Sequence, residues 1–383
     1  MRHEFPDYYS EFTCVAGDCE ATCCAGWQIV VDEESLKDYA KVDGVFRERI
    51  KTGVNFKEGV FYQKEGKRCA FLNAQNLCDM YTALGEKSLC ETCTRYPRHI
   101  EEFENVREHT LSVSCPEVAK ILLNKKEPVQ FFYMEEETEE EVFDDFDPML
   151  YEVLAEVRSG MMEVLQDRTL SLELRAATLW NFITEFQDKM DEGVLYTEQE
   201  LYAECGEKDE EKVVLNPKFL EKAKSQLVEL VGNEIVYFER AKEQFGKLFE
   251  LEFLAEEWEE DLNEAQRLLY TGGVENYIKR RAEYISWRAE NIPDWNIMAE
   301  QLMVYFLYTY FCGAVYDEYV ASKVKMSVLG VFYIDEMLMT QWLKQGKKLE
   351  RHDIIRMVYR YSRELEHSDQ NLCTMDRLLE ELK

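Results

Sequence analysis

Residues 297–315 read "IMAEQLMVYFLYTYFCGAV". Whether this stretch spans a membrane or sits inside a helical domain decides the fold. Its length is close to the ~20 apolar residues a span needs. Against a span, Glu300 and Gln301 lie within it, tyrosine is frequent, and Asp317 and Glu318 follow at once. Ionisable groups are costly in lipid, whereas a packed core accepts them when they are paired. The stretch therefore reads as a buried central helix, and no membrane partner is expected.

The same pattern extends outward in both directions. At 149–166, Met149, Leu150, Val153, Leu154, Val157, Met161, Val164 and Leu165 recur at spacings of three and four, the period of an amphipathic helix. Residues 170–190, 217–247, 253–270, 274–291, 295–321, 325–345 and 350–366 read the same way. Pro217 and Pro293 stand where helices can begin. "TGG" (271–273), "NIPD" (291–294) and "KQGKK" (344–348) mark connections. Strand-like alternation is scarce and no fixed-period repeat is visible. The expected fold class is mainly α, with residues 149–383 forming an all-helical domain. Residues 124–148, "NKKEPVQFFYMEEETEEEVFDDFDP", carry like charges at a density that keeps a segment solvated, and read as an acidic linker. The rival reading is an acidic docking strip for a basic partner.

Residues 1–123 are different: a cysteine-rich module with little regular structure. "DEESLKDYAKV" (32–42) predicts a short helix, and 54–73 a hairpin turning at one of the two "KEG" triplets. "SCPEVAKILL" (114–123) predicts a helix with Cys115 at its positive end. Nine of the twelve cysteines fall here: Cys14, Cys19, Cys23, Cys24, Cys69, Cys78, Cys90, Cys93 and Cys115. Cys205, Cys312 and Cys373 are scattered over the remainder. The N-terminus shows no secretory signal, so a cytoplasmic location is expected. There, clustered reduced thiols are usually metal ligands rather than a disulfide framework. Cys90 and Cys93 can present two sulfurs to one ion from one turn of chain. Adjacent Cys23 and Cys24 normally point apart and so face different partners. Nine thiols exceed the four that one ion or cluster takes, leaving both the number of sites and the metal open between zinc and an iron–sulfur cluster. His99 and His109 read as surface or packed side chains. Arg95 and Arg98 are candidates to neutralise cluster charge or to hold a carboxylate of a bound cofactor. The net charge of −32 argues against nucleic acid as a partner and permits a basic, lysine-bearing protein.

"CVAGDCEATCCAGWQIVVDEESLKDY" (14–39), "CAFLNAQNLCDMYTALGEKSLCETCTRYPR" (69–98) and "LSVSCPEVAKILL" (111–123) together resemble the flagellin lysine-N-methylase family, and "ENY" at 275–277 resembles part of its helical region. The first segment is also similar to putative zinc- or iron-chelating proteins with a CxxxCxxCC pattern, although here the spacing is C-x4-C-x3-C-C. The resemblance implies transfer of a methyl group from S-adenosylmethionine to lysine side chains of flagellin in the cytoplasm. It also implies a [4Fe–4S] cluster held by the N-terminal cysteines. The residues themselves name no catalytic group and no donor pocket. No G-x-G-x-x-G follows a strand, no C-x3-C-x2-C triplet occurs, and nothing resembles a SET domain. Tyr305, Tyr308, Tyr310, Tyr316 and Tyr319 read as packing. A zinc-stabilised adaptor and an iron–sulfur redox or sensor protein are the alternative functions.

Overall fold

The computed structural model describes residues 1–193 and 215–382; Cys205 lies outside them. Most of the stretch at 297–315 lies within the helix Trp295–Tyr310, which is buried on every side from Met298 to Thr309; its last five residues fall in the short turns that follow. It packs against the helices Val320–Lys344, Pro148–Gln166 and Pro116–Asn124. Its charged residue is paired and its amide donates, while Gln301 Oε1 is buried without a partner among the described residues. Glu300 receives Arg168 Nη2 at 2.9 Å and Arg175 Nη1 at 2.8 Å, and Gln301 Nε2 donates to the Glu127 carbonyl at 2.8 Å. A buried carboxylate with two guanidinium partners avoids most of the desolvation cost that a lone charge would incur. Among the described residues no helix is long and apolar enough to cross a membrane.

The surrounding helices begin where side chains cap them. Asp147, Ser171 and Asn216 accept backbone N–H groups at the starts of Pro148–Gln166, Leu172–Asp191 and Pro217–Val231. The single helix expected over 217–247 is two, because Asn233 caps a new helix, Glu234–Gly246, directly after Gly232. The one expected over 295–321 ends at Tyr310, and Val320–Lys344 starts earlier than the apolar pattern suggested. Ser368 caps a last helix, Asp369–Glu380.

The first third contains more sheet than its sequence suggests. Arg98–Phe103, Val106–Leu111, Arg2–Pro6 and Phe131–Glu135 form a four-stranded sheet in that spatial order. Arg2–Pro6 runs parallel to Val106–Leu111 and antiparallel to Phe131–Glu135. Both "KEG" triplets turn: Val54–Asn55 pairs with Val60–Phe61, and Gln63–Lys64 with Arg68–Cys69. Gly59 and Gly66 supply the positive φ there, at 65° and 70°. The helices expected near 32–42 and after Cys115 are Glu33–Tyr39 and Pro116–Asn124.

Two findings differ from the expected domain boundaries. Phe131–Glu135 is a strand inside the segment read as an acidic linker, because the aromatic "FFYM" precedes the charge run and the edge of Arg2–Pro6 is open to it. The core also does not break at 123. Phe12, Phe103, Leu111, Val113 and Leu122 belong to the same apolar cluster as the C-terminal helices. A second, smaller cluster built on Ile29, Val31, Tyr39, Ile50, Phe61, Phe71 and Met80 underlies most of the thiol-bearing loops.

Candidate metal centre and adjoining cleft

All nine N-terminal cysteines are free thiols, and no disulfide occurs among the described residues. Cys24 and Cys69 are tied through their backbones, the Cys69 N–H donating to the Cys24 carbonyl at 2.8 Å. Cys78 and Leu72 form an isolated bridge. Cys90 and Cys93 flank the first turn of the helix Glu91–Arg95, and Cys115 precedes Pro116–Asn124. The thiols therefore arrive on five separate local structures.

Two pairs of neighbouring thiols shift each other's ionisation. Cys23 lowers the Cys24 pKa to about 7 and is itself raised. Cys93 likewise lowers Cys90 and is itself raised. The adjacent Cys23 and Cys24 face different neighbours. Cys14 and Cys115 lie near enough to oppose ionisation of Cys23, while Cys24 acts in this way on Cys69 and Cys78. Cys93 senses both Cys23 and Cys24. Burial pushes Cys69 up to about 12 and also raises Cys19, Cys78 and Cys115. By donor type this set suits thiolate-bound iron or zinc. By geometry it stops at pairs: among the described residues no three His, Cys, Asp or Glu side chains stand together as a ready ligand shell.

His99 and His109 are engaged away from the sulfurs. His99 Nε2 meets Glu101 at 2.6 Å, and His109 meets His3 at 2.9 Å and stacks on Phe5. Arg95 pairs with Glu91 at 2.5 Å, and Arg98 lies over the Phe12 ring. The cations that favour thiolates are others: Arg68 beside Cys24, and Arg363 beside Cys19 and Cys115.

Arg363 belongs to the helix Arg351–Glu366, which joins the thiol loops to the helical domain. Its Nε donates to the Ser114 carbonyl at 2.9 Å and its Nη2 to the Ala21 carbonyl at 2.6 Å. His367 meets Ser114 Oγ at 3.0 Å and packs on Trp27. Glu366 gathers the hydroxyls of Tyr305 at 2.5 Å, Ser112 at 2.7 Å and Tyr310 at 2.9 Å. Above this junction lies a cleft of about 200 Å³, with Arg356, Arg360, Arg363 and Glu364 on one side and Gly26, Leu254 and Ala255 on the other. Gly26 is two residues from Cys24, so one wall of the cleft belongs to a thiol-bearing loop. Arg360 is committed to Asp261 at 2.7 Å. Arg363 donates only to carbonyls and lies over the Tyr359 ring, and Arg356 has no ion-pair partner among the described residues.

The FliB lysine N-methylase C-terminal domain matches residues 158–383, which is more than half of the chain and includes the whole arginine helix. The chain belongs to the FliB lysine N-methylase family. A flagellar biosynthetic protein FliU from Salmonella muenchen is 31% identical to this FliB-family chain over 127 residues, covering 31% of the chain and 75% of that protein. The lysine-N-methylases of Salmonella typhimurium and Salmonella choleraesuis are 31% identical over 127 residues, covering 31% of the chain and 32% of theirs. The match thus spans about a third of the length of these two curated lysine-N-methylases. No solved structure matches the chain.

In this FliB-family chain the cleft holds a carboxyl group with a strongly displaced pKa. Burial raises Glu364 to about 7, although its carboxylate accepts the Leu254 and Ala255 N–H groups at 2.7 and 3.0 Å. Because folding raises this pKa, the folded state holds a proton between about pH 4.5 and 7 that the unfolded chain has released. Stability therefore falls as pH rises through that window, by on the order of 3 kcal/mol in all. Glu364→Gln is expected to flatten this slope in thermal melts recorded across the window; an unchanged slope excludes Glu364 as its source.

Proposed function

We propose that the chain transfers methyl groups from S-adenosylmethionine to lysine side chains of a protein partner, flagellin in particular. The observation that carries this reading is the arginine-lined cleft, which lies on a helix of the family-matched region and against the thiol loops. Its free Arg356 and carbonyl-held Arg363 suit the α-carboxylate of the donor's amino-acid end. Glu364, on the same helix, suits the adjoining α-ammonium. The thiols at positions 14–115 are proposed to hold an iron–sulfur cluster. Bound there, such a cluster would be held by these thiolates and would supply iron for redox or Lewis-acid chemistry.

The electrostatics separate recruitment from transfer. A net charge of −32 draws a lysine-bearing protein but keeps its ammonium groups protonated. Lysine attacks a methyl group only as the free amine, and its ordinary pKa is about 10.4. Lowering that by about three units costs about 4 kcal/mol. The positive sulfonium of the donor and the apolar cleft wall at Leu254 and Ala255 both act in this direction.

The test is incubation of the anaerobically purified, metal-loaded protein with S-adenosylmethionine and flagellin, read by intact mass. The expected result is mass increments of one methyl group each, localised to lysines. Arg356→Ala is expected to weaken donor binding about tenfold, the loss of one charge-assisted contact. A flagellin mass that does not change with loaded protein contradicts the reading.

A further inference from the structure

Phe131–Glu135 is an edge strand of the four-stranded sheet, paired on one side only, with Arg2–Pro6. Its register shows which backbone groups are spent. Met1 N donates to the Glu136 carbonyl and Glu136 N to the Met1 carbonyl, both at 2.8 Å. Asp7 N donates to the Gln130 carbonyl at 2.8 Å. In an antiparallel pair, alternate residues turn their N–H and C=O groups toward the partner. Residues 130, 132, 134 and 136 therefore face Arg2–Pro6. The N–H and C=O groups of Phe131, Tyr133 and Glu135 face outward, without a partner among the described residues.

The side chains on this edge are open as well. Phe132, Tyr133 and Met134 are 60%, 71% and 56% exposed, an unusual apolar run for a free edge. Directly after it come Glu135, Glu136, Glu137, Glu139, Glu140 and Glu141, with no basic residue between 127 and 147. Glu136 and Glu141 are engaged by His3 and Arg107; Glu137, Glu139 and Glu140 are exposed and have no ion-pair partner among the described residues. An edge that is guarded only against self-pairing needs charge on the strand itself. Here the charge stands beyond the strand's end, while the strand is aromatic.

We propose that this edge captures an extended, lysine-bearing segment of a protein partner as a fifth strand. The outward backbone groups supply the ladder, Phe132 and Met134 supply apolar contact, and the acidic run pairs with the lysines. The identity of the partner as methylation substrate rests on the proposed methylase reading; the docking itself does not. Nucleic acid is repelled by the same charge.

Tyr133→Pro tests this cleanly, because proline removes the outward N–H and leaves the bonds to Arg2–Pro6 in place. Binding is read by fluorescence anisotropy of a short labelled peptide alternating lysine with valine, and of the same peptide with glutamate for lysine. The lysine peptide is expected to bind in low salt and to weaken at least tenfold with Tyr133→Pro. A triple change of Glu137, Glu139 and Glu140 to Gln is expected to weaken it further and to reduce the salt dependence. Unchanged affinity in both variants, or equal binding of the glutamate peptide, overturns the docking proposal. Peptide binding that Tyr133→Pro abolishes, from a protein that methylates nothing, sustains the docking site and removes only the methylase reading.

Discussion

Cys90→Ser or Cys93→Ser is expected to remove the proposed metal from the protein and to lower its stability by an amount on the order of 10 kcal/mol, the scale of a structural metal site. The expectation follows from how the thiol region is built. Its own apolar cluster is small, resting on residues such as Ile29, Phe61, Phe71 and Met80, and much of the chain between them is loop and two-residue strands. So little regular structure gains much from cross-linking by a metal. Cys90 is fully buried and lies close enough to Cys93 for each to shift the other's ionisation, so either change removes one member of a neighbouring pair. The controls are Cys373→Ser, at an exposed position, and Cys312→Ser, in the main core. The first is expected to be silent. The second places a hydroxyl in an apolar site and costs about 1–3 kcal/mol, yet leaves the metal content unchanged. Elemental analysis beside thermal unfolding separates these cases. Equal tolerance at all four positions refutes the division between ligand and scattered cysteines.

Arg158→Ala is expected to destabilise the protein by about 3–5 kcal/mol, the range for stripping one partner from a buried ion pair. Arg158 and Glu108 are 3% and 2% exposed. Arg158 Nη2 reaches Glu108 Oε1 at 2.6 Å and Nη1 reaches Oε2 at 2.5 Å, a bidentate fork. The same guanidinium donates to the Tyr308 carbonyl at 3.1 Å, and Tyr151 donates its hydroxyl to Glu108 at 2.8 Å. One pair thus fastens the sheet to the helix Pro148–Gln166 and to the central helix. Removing the arginine leaves a carboxylate in the core with a single tyrosine partner. Replacing both charges, as Arg158→Met with Glu108→Leu, is expected to recover most of the loss. Urea unfolding of the three proteins measures the difference; a single variant as stable as the parent shows that water reaches the site.

The main elements of the helical domain were legible because period and capping agree. Pro217 opens a helix and Pro293 stands two residues before another, and the polar pair Glu300 and Gln301 marks the central stretch as core rather than membrane. The strand at Phe131–Glu135 was not legible, since nine acidic residues between 135 and 147 dominate the reading of that segment. The cleft was hidden for a different reason. Arg356, Arg360 and Arg363 fall at spacings of four and three in "RMVYRYSRELEH" (356–367), which reads as the solvated face of an amphipathic helix. That Gly26 and Leu254 stand across from them depends on contacts more than a hundred residues apart in sequence. Arg95 and Arg98 drew notice by lying next to cysteines in sequence, whereas the arginine that bears on Cys19 and Cys115 comes from the far end of the chain.

The most direct test of the metal centre is the iron, acid-labile sulfide and zinc content of protein purified without oxygen, read together with its visible absorption. Iron and sulfide in matching amounts, with a brown colour that Cys93→Ser abolishes, is the predicted result. A colourless protein, whether it carries zinc alone or no metal, contradicts it.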